Sequence, residues 1–251
     1  MNELFLIGIG TGNPDHLTFA GASALNQADL VLVPRKGPDK ADLADLRLQI
    51  LAKVLTNPAT QVVEFDLPLR DAANPDYRAG VDDWHDAIAA AWTRAAARVP
   101  GAGRVALLVW GDPSLYDSTL RIAARLTPPP RIRVEPGITA IQALCAAHAI
   151  PLNRIGSPFT VTTGRQLRDH GFPSGCDTCL VMLDGENSFQ TLDPQGLEIW
   201  WGAYLGMEAQ ILDHGPLAEA GPRILATRSA ARQAQGWIMD IYLLRRHSAP
   251  D

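Results

Sequence analysis

The fold is decided by the stretch Leu4-Phe5-Leu6-Ile7-Gly8-Ile9-Gly10-Thr11-Gly12-Asn13-Pro14, which joins a short apolar run to a turn. A continuously apolar run of this length is typical of a strand in a parallel sheet that is covered on both faces. The glycines and the proline cannot continue such a strand, so they predict a tight turn at its carboxyl end. The same pattern, a strand followed by a turn and a helix, recurs along the chain after this stretch.

Strands and helices alternate as far as residue 150. Further strands are predicted over residues 28–33, 61–65, 104–110 and 131–135, and the helices that separate them are predicted over 43–55, 81–99, 115–126 and 139–149. This alternation is typical of a doubly wound α/β fold, in which ligands bind at the carboxyl ends of the strands. The first part of the chain is therefore predicted to form a parallel five-stranded sheet.

Residues 151–158 carry few signals of regular structure and form a candidate linker. Beyond them the predicted strands come closer together and fewer helices separate them; these strands cover 159–163, 179–183, 199–205, 210–213 and 237–244. Such spacing favours a mixed five-stranded sheet in a second α/β domain. The predicted domains are residues 1–150 and 151–251.

The charge balance restricts the classes of partner. The chain has 22 Lys and Arg against 27 Asp and Glu, a net charge of -5, so no overall positive field attracts it to a phosphate backbone. The first residues lack the basic segment and cleavage site of a signal peptide. No apolar run approaches the roughly 20 residues that span a bilayer. We expect a cytoplasmic protein that binds neither nucleic acid nor membrane.

The three cysteines do not predict a metal site. Cys176 and Cys179 form a single CxxC pair, whereas a structural zinc site usually needs four nitrogen or sulfur ligands. A glycine turn that leads into a strand is the better explanation of the pair, so no metal is predicted.

The glycine turn after the first strand invites comparison with a dinucleotide-binding motif. That motif requires its third glycine where this chain has Asn13, and it requires an acidic residue near the end of the second strand, where this chain has Val33-Pro34-Arg35. A nicotinamide-dependent oxidoreductase is therefore the weaker alternative.

Two more turns follow predicted strands at the same edge of the sheet. Residues 109–116 follow the fourth strand and residues 134–140 follow the fifth. Three Gly/Pro turns at one edge form a concave surface on which backbone groups can contact a ligand. An adenosyl group with an amino-acid tail suits such a surface, and Asp112 could accept a hydrogen bond from its ammonium group.

Together these turns resemble the tetrapyrrole methylases, which methylate uroporphyrinogen and precorrins and include a diphthine synthase and a ribosomal RNA methylase. The resemblance spans essentially the whole chain. It rests on residues 8–14 followed by Leu17-Thr18, on Gly111-Asp112-Pro113 followed by Leu115-Tyr116, and on residues 136–140. Thr11 replaces the usual proline of the first turn and Asn13 replaces the usual aspartate.

The resemblance implies S-adenosylmethionine as cofactor, a cofactor cleft between the two domains, a tetrapyrrole substrate above the sulfonium, and a homodimer. The implied cofactor contacts are Gly8, Gly10, Thr11, Gly12, Gly111, Asp112, Pro113, Thr139, Ala140, Asp184 and Leu205. At Asp184 the family more often has methionine.

Four segments resemble the branch of the family that methylates a ring carbon of a precorrin and releases acetate. They are Thr11 and residues 110–113, 182–186 and 236–242. Another precorrin or uroporphyrinogen methyltransferase remains an alternative, as does an RNA or protein methylase.

Methyl transfer from a sulfonium depends mainly on positioning, whereas deacetylation benefits from a base and an oxyanion donor. The candidate catalytic residues near strand ends are Asp112, Tyr116, Asp184, Glu186 and His214. Each also has a structural interpretation: a helix cap for Asp112, a packed ring for Tyr116, a turn for Asp184 and His214, and solvated charge for Glu186.

A polycarboxylate substrate requires cations near its binding site. Arg35 and Lys36 follow the second strand, and Arg70 and Arg78 lie in the long loop 67–80, which is a candidate lid. Solvated surface charge is an equally good interpretation of all four side chains.

Overall fold

The computed structural model describes residues 1–35, 42–70 and 77–247, with the side chains of residues 42, 43, 77 and 78 excepted. Contacts divide the chain into two compact units, Met1–Thr139 and Ala140–Asp251.

The first unit is built on a parallel sheet. Its strands are β1 (Glu3–Gly8), β2 (Leu30–Arg35), β3 (Gln61–Asp66), β4 (Arg104–Val109) and β5 (Arg131–Glu135). They lie in the order β3-β2-β4-β1-β5, and every pair is parallel. The helices are α1 (Phe19–Gln27), α2 (Asp42–Val54), α3 (Tyr77–Ala96) and α4 (Thr119–Ala123). The predicted parallel five-stranded sheet is confirmed.

Helices cover both faces of this sheet, which explains why its central strands are almost entirely apolar. Alternate residues such as Leu4, Leu32 and Leu107 pack against α3 and α4. Their neighbours, including Phe5 and Leu108, pack against α1 and α2 on the opposite face. The helix pairs that flank the sheet therefore lie on opposite sides of it, as in other doubly wound folds.

The second unit carries the mixed sheet. Its strands are β6 (Phe159–Thr163), β7 (Thr178–Met182), β8 (Leu197–Ala203), β9 (Ile211–Pro216) and β10 (Asp240–Arg246), in the order β6-β7-β10-β8-β9. Only β6 and β7 pair in parallel. The helices are α5 (Ala140–His148), α6 (Gly164–His170) and α7 (Leu217–Gln235). The predicted mixed five-stranded sheet is confirmed.

The division of the chain differs from the predicted boundary at residue 150. Helix α5 belongs to the second unit, where it packs on β8 and β10. A side chain at Gly202 of β8 would meet the Leu144 side chain of α5 at 3.0 Å, so the helix lies directly on this strand. The linker signals after residue 150 mark the end of α5 and not the change of unit.

Four elements differ clearly from the sequence predictions. The helix predicted over residues 115–126 is shortened to α4, because residues 112–117 form a turn held by side chains of Asp112 and Asp117. The loop predicted to extend to residue 80 is shorter, since α3 begins at Tyr77. Helices α6 and α7 were not predicted at all.

Candidate functional site

Three turns lie side by side at the carboxyl edge of the first sheet, because the strands β4, β1 and β5 that carry them are neighbours. The turns after β1 and β4 are joined by a two-residue bridge. The amide of Gly111 donates to the Gly10 carbonyl at 2.8 Å, and the amide of Gly10 donates to the Gly111 carbonyl at 3.3 Å. The predicted grouping of glycine turns is therefore present in the first unit.

Glycine is required where these turns touch. A Cβ atom on Gly137 would lie 2.0 Å from the Gly111 carbonyl oxygen, and one on Gly8 would lie 2.6 Å from the Gly137 nitrogen. Gly111 itself has a φ of 63°, a left-handed conformation that glycine adopts at no steric cost, and its Cβ position meets no atom within 4 Å. The backbone at Gly111 is thus open to close approach by a ligand.

Asp112 fastens two of the turns together. Its Oδ1 accepts from the amide and hydroxyl of Ser114 at 2.8 and 2.5 Å, and its Oδ2 accepts from the Gly137 amide at 2.9 Å. Burial acts to raise the pKa of Asp112, but these hydrogen bonds outweigh it and leave the pKa below its usual value. The carboxylate remains ionised and is weakly basic.

The first turn has a partner that the sequence analysis missed. The Thr11 side chain is buried, and its hydroxyl is hydrogen-bonded to Nδ1 of His16 at 3.1 Å. His16 ends the short 3-10 turn Pro14–His16, and a Cβ on Gly10 would lie 2.5 Å from the His16 Cβ. Pro14, which begins this 3-10 turn, is the sequence feature that could have predicted that the chain turns back and brings His16 against Gly10 and Thr11.

Non-glycine residues with positive φ follow three of the strands. Tyr116 after β4 has a φ of 48°, Leu183 after β7 has 54°, and Tyr204 after β8 has 51°. Such conformations are costly and persist only where the surroundings enforce them, often at functional sites. Tyr116 and Leu183 are exposed, whereas Tyr204 is buried with its hydroxyl donating to the Trp237 carbonyl at 2.6 Å.

Asp184 organises the loop after β7. Its Oδ1 accepts from the Glu186 amide and the Ser188 hydroxyl, and its Oδ2 accepts from the Ser188 amide and the Tyr242 hydroxyl, all at 2.6 to 3.1 Å. The carboxylate is buried, and Gly164 leaves room for it because a Cβ there would lie 2.3 Å from the Asp184 Cγ. Asp184 therefore holds its own loop, and we call this set of contacts the Asp184 clamp.

A buried ion pair supports the clamp. Arg228 of α7 donates to both carboxylate oxygens of Asp240, at 2.7 and 3.2 Å, and to the Asp184 carbonyl at 3.1 Å. Trp201 donates from Nε1 to the same Asp240 at 2.9 Å. Arg228 lies in α7, a helix that the sequence does not predict, and so it is not among the predicted site residues.

Glu186 and His214 lie apart from each other. Glu186 is exposed and pairs with Arg168 of α6. His214 lies in β9 opposite Trp200, three strands from β7 in the sheet order, or roughly 14 Å at the usual strand spacing. Its ring contacts that of His148 at a centroid distance of 5.7 Å. The structure therefore does not gather the candidate catalytic residues of the second unit at one point.

The remaining predicted site residues differ in their burial and in their contacts. Leu205, directly after Tyr204, and Pro113, directly after Asp112, are both buried. Thr139 is the last residue of the first unit, and Ala140 is the first residue of the second unit. Arg35 pairs with Glu64 and with Asp45. Arg70 is exposed after β3, whereas Lys36 and the Arg78 side chain lie outside the described residues.

Residues 1–35, 42–70 and 77–247 contain neither a cluster of metal ligands nor a membrane-spanning helix. No group of three or more His, Cys, Asp or Glu side chains there is arranged to hold a metal ion. Burial raises the pKa of the Cys179 thiol to about 12, and the Cys176 thiol lies 3.2 Å from the Thr160 hydroxyl. None of the helices in that part of the chain has the length and apolarity needed to cross a bilayer.

The family model of the Tetrapyrrole (Corrin/Porphyrin) Methylases matches residues 3–221, which include all three glycine turns and the Asp184 loop. The chain belongs to this family. The resemblance proposed from the glycine turns is confirmed, and family membership favours methyl transfer over nicotinamide-dependent redox chemistry.

Individual relatives agree with this assignment to the tetrapyrrole methylases. A "Precorrin-6A synthase [deacetylating]" of Sinorhizobium sp is 47% identical, over 98% of this chain and 96% of its own length. The crystal structure of a cobalamin synthesis related protein (CobF) from Corynebacterium diphtheriae has a TM-score of 0.82 and 38% identity, covering 99% of this chain and 100% of that one.

A more distant structure shares the tetrapyrrole methylase fold. Uroporphyrin-III C-methyl transferase from Thermus thermophilus, solved in complex with S-adenosyl homocysteine, has a TM-score of 0.59 and 19% identity, covering 97% of each chain. At this identity the similarity shows the fold alone.

Proposed function

We propose that this chain transfers the methyl group of S-adenosylmethionine to ring carbon 1 of precorrin-5 and releases acetate, which yields precorrin-6A. The observation that carries the proposal is the 47% identity to a deacetylating precorrin-6A synthase over almost the whole of both chains. The same relation supports a tetrapyrrole as the small-molecule partner.

The three glycine turns are the proposed cofactor site of the first unit. The paired turns at Gly10 and Gly111 and the carboxylate of Asp112 suit a ligand that carries an adenosyl group and an amino-acid tail. The Cβ position of Gly111 is open and would be filled by any other residue, which fits close contact with a ligand. The bound cofactor would supply an activated methyl group, and the protein's task is to position it.

Asp112 and Asp184 are best explained as positioning residues. Each of their four carboxylate oxygens accepts a hydrogen bond from a backbone amide. At Asp112 these bonds lower the pKa of the carboxyl and make it a poor base. At Asp184 both oxygens are occupied in holding the loop. Proton transfer during acetate release is therefore proposed for Tyr116, Glu186 or His214.

We further propose that the protein is cytoplasmic, acts as a homodimer and binds no nucleic acid. The net charge of -5 supports the last point, since it gives no overall attraction to phosphates. The dimer follows from the family resemblance, and light scattering of the purified protein measures it.

The proposed reaction is tested by the mass of the product. Wild-type protein supplied with precorrin-5 and S-adenosylmethionine should yield acetate and methylated product in equal amounts. Variants Tyr116→Phe, Glu186→Gln and His214→Asn remove one proton-handling group each. In one of them acetate release should slow by about 100-fold or more while methyl transfer continues, since general bases typically contribute this much.

A methylated intermediate that retains its acetyl unit should then accumulate. Methylation of precorrin-2 or uroporphyrinogen by the wild type, without acetate release, would instead favour another methyltransferase of the family. If all three variants release acetate in step with methyl transfer at the wild-type rate, none of these side chains handles the proton.

A further inference from the structure

A buried cation interrupts the apolar stripe of α7. The buried residues of this helix recur with helical spacing, and at position 228, where that spacing predicts an apolar side chain, the chain has Arg228. The residue is only 7% exposed. Burying a charge is costly unless the charge is paired, and a buried ion pair usually stabilises a protein no better than apolar side chains of similar volume. Stability alone therefore does not explain the arginine.

The guanidinium of Arg228 binds two separate segments at once. Its Nε donates to Asp240 Oδ2 at 2.7 Å, and its Nη2 donates to Asp240 Oδ1 at 3.2 Å and to the Asp184 carbonyl at 3.1 Å. Burial acts to lower the pKa of Arg228, but the hydrogen bond to Asp240 and the nearby negative charges outweigh it and leave the pKa above its usual value. The group is a permanent cation that cannot act as an acid, so its contribution is geometric.

Asp240 lies between two loops of the second unit. The order β7-β10-β8 and the antiparallel pairing place the start of β10 between the carboxyl ends of β7 and β8. Asp240 pairs with Ala203, the last residue of β8, and it accepts from Nε1 of Trp201 at 2.9 Å. The carbonyl of the preceding Met239 accepts from the Tyr204 amide at 2.9 Å. The start of β10 therefore holds the loop after β8, and Arg228 ties it to the loop after β7.

Both loops begin with a left-handed residue. Leu183 after β7 has a φ of 54°, and Tyr204 after β8 has a φ of 51°. Such conformations are costly for residues other than glycine and persist only where surrounding contacts enforce them. The next residues along the chain, Asp184 and Leu205, are the two cofactor contacts that the family resemblance implies in this unit. One cation thus acts on the backbone of both proposed contact segments.

We propose that Arg228 is a positioning residue that sets the loops after β7 and β8 together in the conformation that binds S-adenosylmethionine. This inference rests on the proposed function, because the two loops must be set together only if both contact that cofactor. The arrangement requires an arginine. A lysine carries the same charge on a single nitrogen, so it cannot supply donors at the separate positions of Nε and Nη2.

The test is the affinity of Arg228→Lys for S-adenosylhomocysteine, measured by calorimetry at a temperature at which the variant is fully folded. It should bind about tenfold more weakly than the wild type, because hydrogen bonds of a charged group that hold the loops are lost. The matched control is Ile224→Ala. Ile224 is buried one turn earlier on α7 and its side chain forms no hydrogen bonds. The cavity should lower the melting temperature, whereas the affinity should stay within about twofold.

The outcomes separate this inference from the proposed function. If folded Arg228→Lys binds S-adenosylhomocysteine as the wild type does, the inference is wrong and the proposed function stands. Equal losses of affinity in Arg228→Lys and Ile224→Ala also overturn it, because affinity would then follow a general loosening of α7. If the wild type itself does not bind S-adenosylhomocysteine, the cofactor assignment and this inference fail together.

Should Arg228→Lys fail to fold, amide hydrogen exchange of the wild type decides the question. The Glu186 amide bonds to Asp184 in the first loop, and the Tyr204 amide bonds to Met239 at the second. Loops that are set together should be protected together, so S-adenosylhomocysteine should slow the exchange of both amides by about tenfold or more. Protection of only one amide, or of neither, contradicts the inference.

Discussion

At the scale of single residues, the glycine at position 137 is required by the carbonyl oxygen of Gly111, which lies 2.0 Å from where a Cβ would be. That oxygen cannot move away freely, because the Gly111 amide is bonded to Gly10 and the next residue, Asp112, is bonded to Gly137. The three turns therefore form one rigid backbone assembly.

We predict that Gly137→Ala destabilises the protein by about 3 kcal/mol, the scale typical of a steric clash in a packed region. It should also weaken binding of S-adenosylhomocysteine by about tenfold or more, since the turns must separate. The control is Gly185→Ala, because a Cβ there meets no atom within 4 Å. Urea unfolding and calorimetry measure both effects, and equal behaviour of the two variants would refute the account of the turns.

The sequence allowed the identity of these residues to be predicted but not their roles. Gly8, Gly111 and Asp112 were recognised because glycine and aspartate after an apolar strand indicate a turn at a ligand edge. That Asp112 accepts from Gly137, 25 residues away, depends on which strands are neighbours. Strand order is not encoded in any local pattern, so the fastening role of Asp112 could not be predicted.

At the scale of elements, the Asp184 clamp joins β7, β10 and a short 3-10 turn. Asp184 and Tyr242 are 58 residues apart, and their hydrogen bond of 2.6 Å links the loop after β7 to the middle of β10. The exposed Leu183 precedes the clamp with a left-handed backbone. The clamp supplies the constraint that such a backbone requires.

We predict that Asp184→Asn destabilises the protein by about 1 to 3 kcal/mol, the cost of an unsatisfied buried donor. The amide nitrogen must replace either Oδ1 or Oδ2. In the first case the Glu186 amide loses its acceptor, and in the second the Ser188 amide does. Neither orientation can satisfy both backbone groups.

Asp193→Asn is the matched control for this substitution. Asp193 is exposed and accepts one bond, from the Gln195 amide at 3.0 Å, which the oxygen of an asparagine can also accept. Its free energy of unfolding in urea should equal that of the wild type. If Asp184→Asn is equally harmless, the clamp does not stabilise the loop.

Strands were predicted more successfully than helices, for a physical reason. The central strands β1, β2 and β4 of the first sheet are apolar runs that are visible without knowledge of their partners. Helix α7 instead buries a stripe with helical spacing in which two residues, Leu217 and Ile224, are large and apolar. The other buried residues are small or charged: Ala220, Gly221, Arg228 and Ala231. It also contains Pro222, a residue that argues against a helix interior. Its burial follows from tertiary contacts, such as the Arg228 ion pair.

At the scale of the whole molecule, each of the two units contains a partly or fully buried histidine whose pKa is lowered mainly by burial. His85 of the first unit is 3% exposed, and its Nε2 has no hydrogen-bond partner among the described residues. The nearby Arg125 lowers its pKa further, against a smaller opposing effect of Asp82. His148 of the second unit is bonded to the Trp201 carbonyl, which only partly offsets its burial.

The sign of the resulting pH dependence follows from proton binding. Both histidines bind protons less readily in the folded protein than in the unfolded chain, where their pKa is the ordinary value of 6.5. The unfolded state therefore binds more protons as the pH falls through 6.5, and stability decreases. The lowered pKa values of Asp29 and Asp112 act in a separate window, since their stabilisation is lost only as the pH falls below 3.8.

We therefore predict that the free energy of unfolding, measured in urea, changes little between about pH 7 and 8 and falls as the pH drops below 6.5, where the histidines of the unfolded chain become charged. His85→Leu should flatten this fall, because leucine takes up no proton in either state. At pH 8 the variant should be at least as stable as the wild type, because it removes a buried nitrogen that has no partner in the described structure. Parallel pH curves for the two proteins would show that His85 is charged, or solvated, in the folded state.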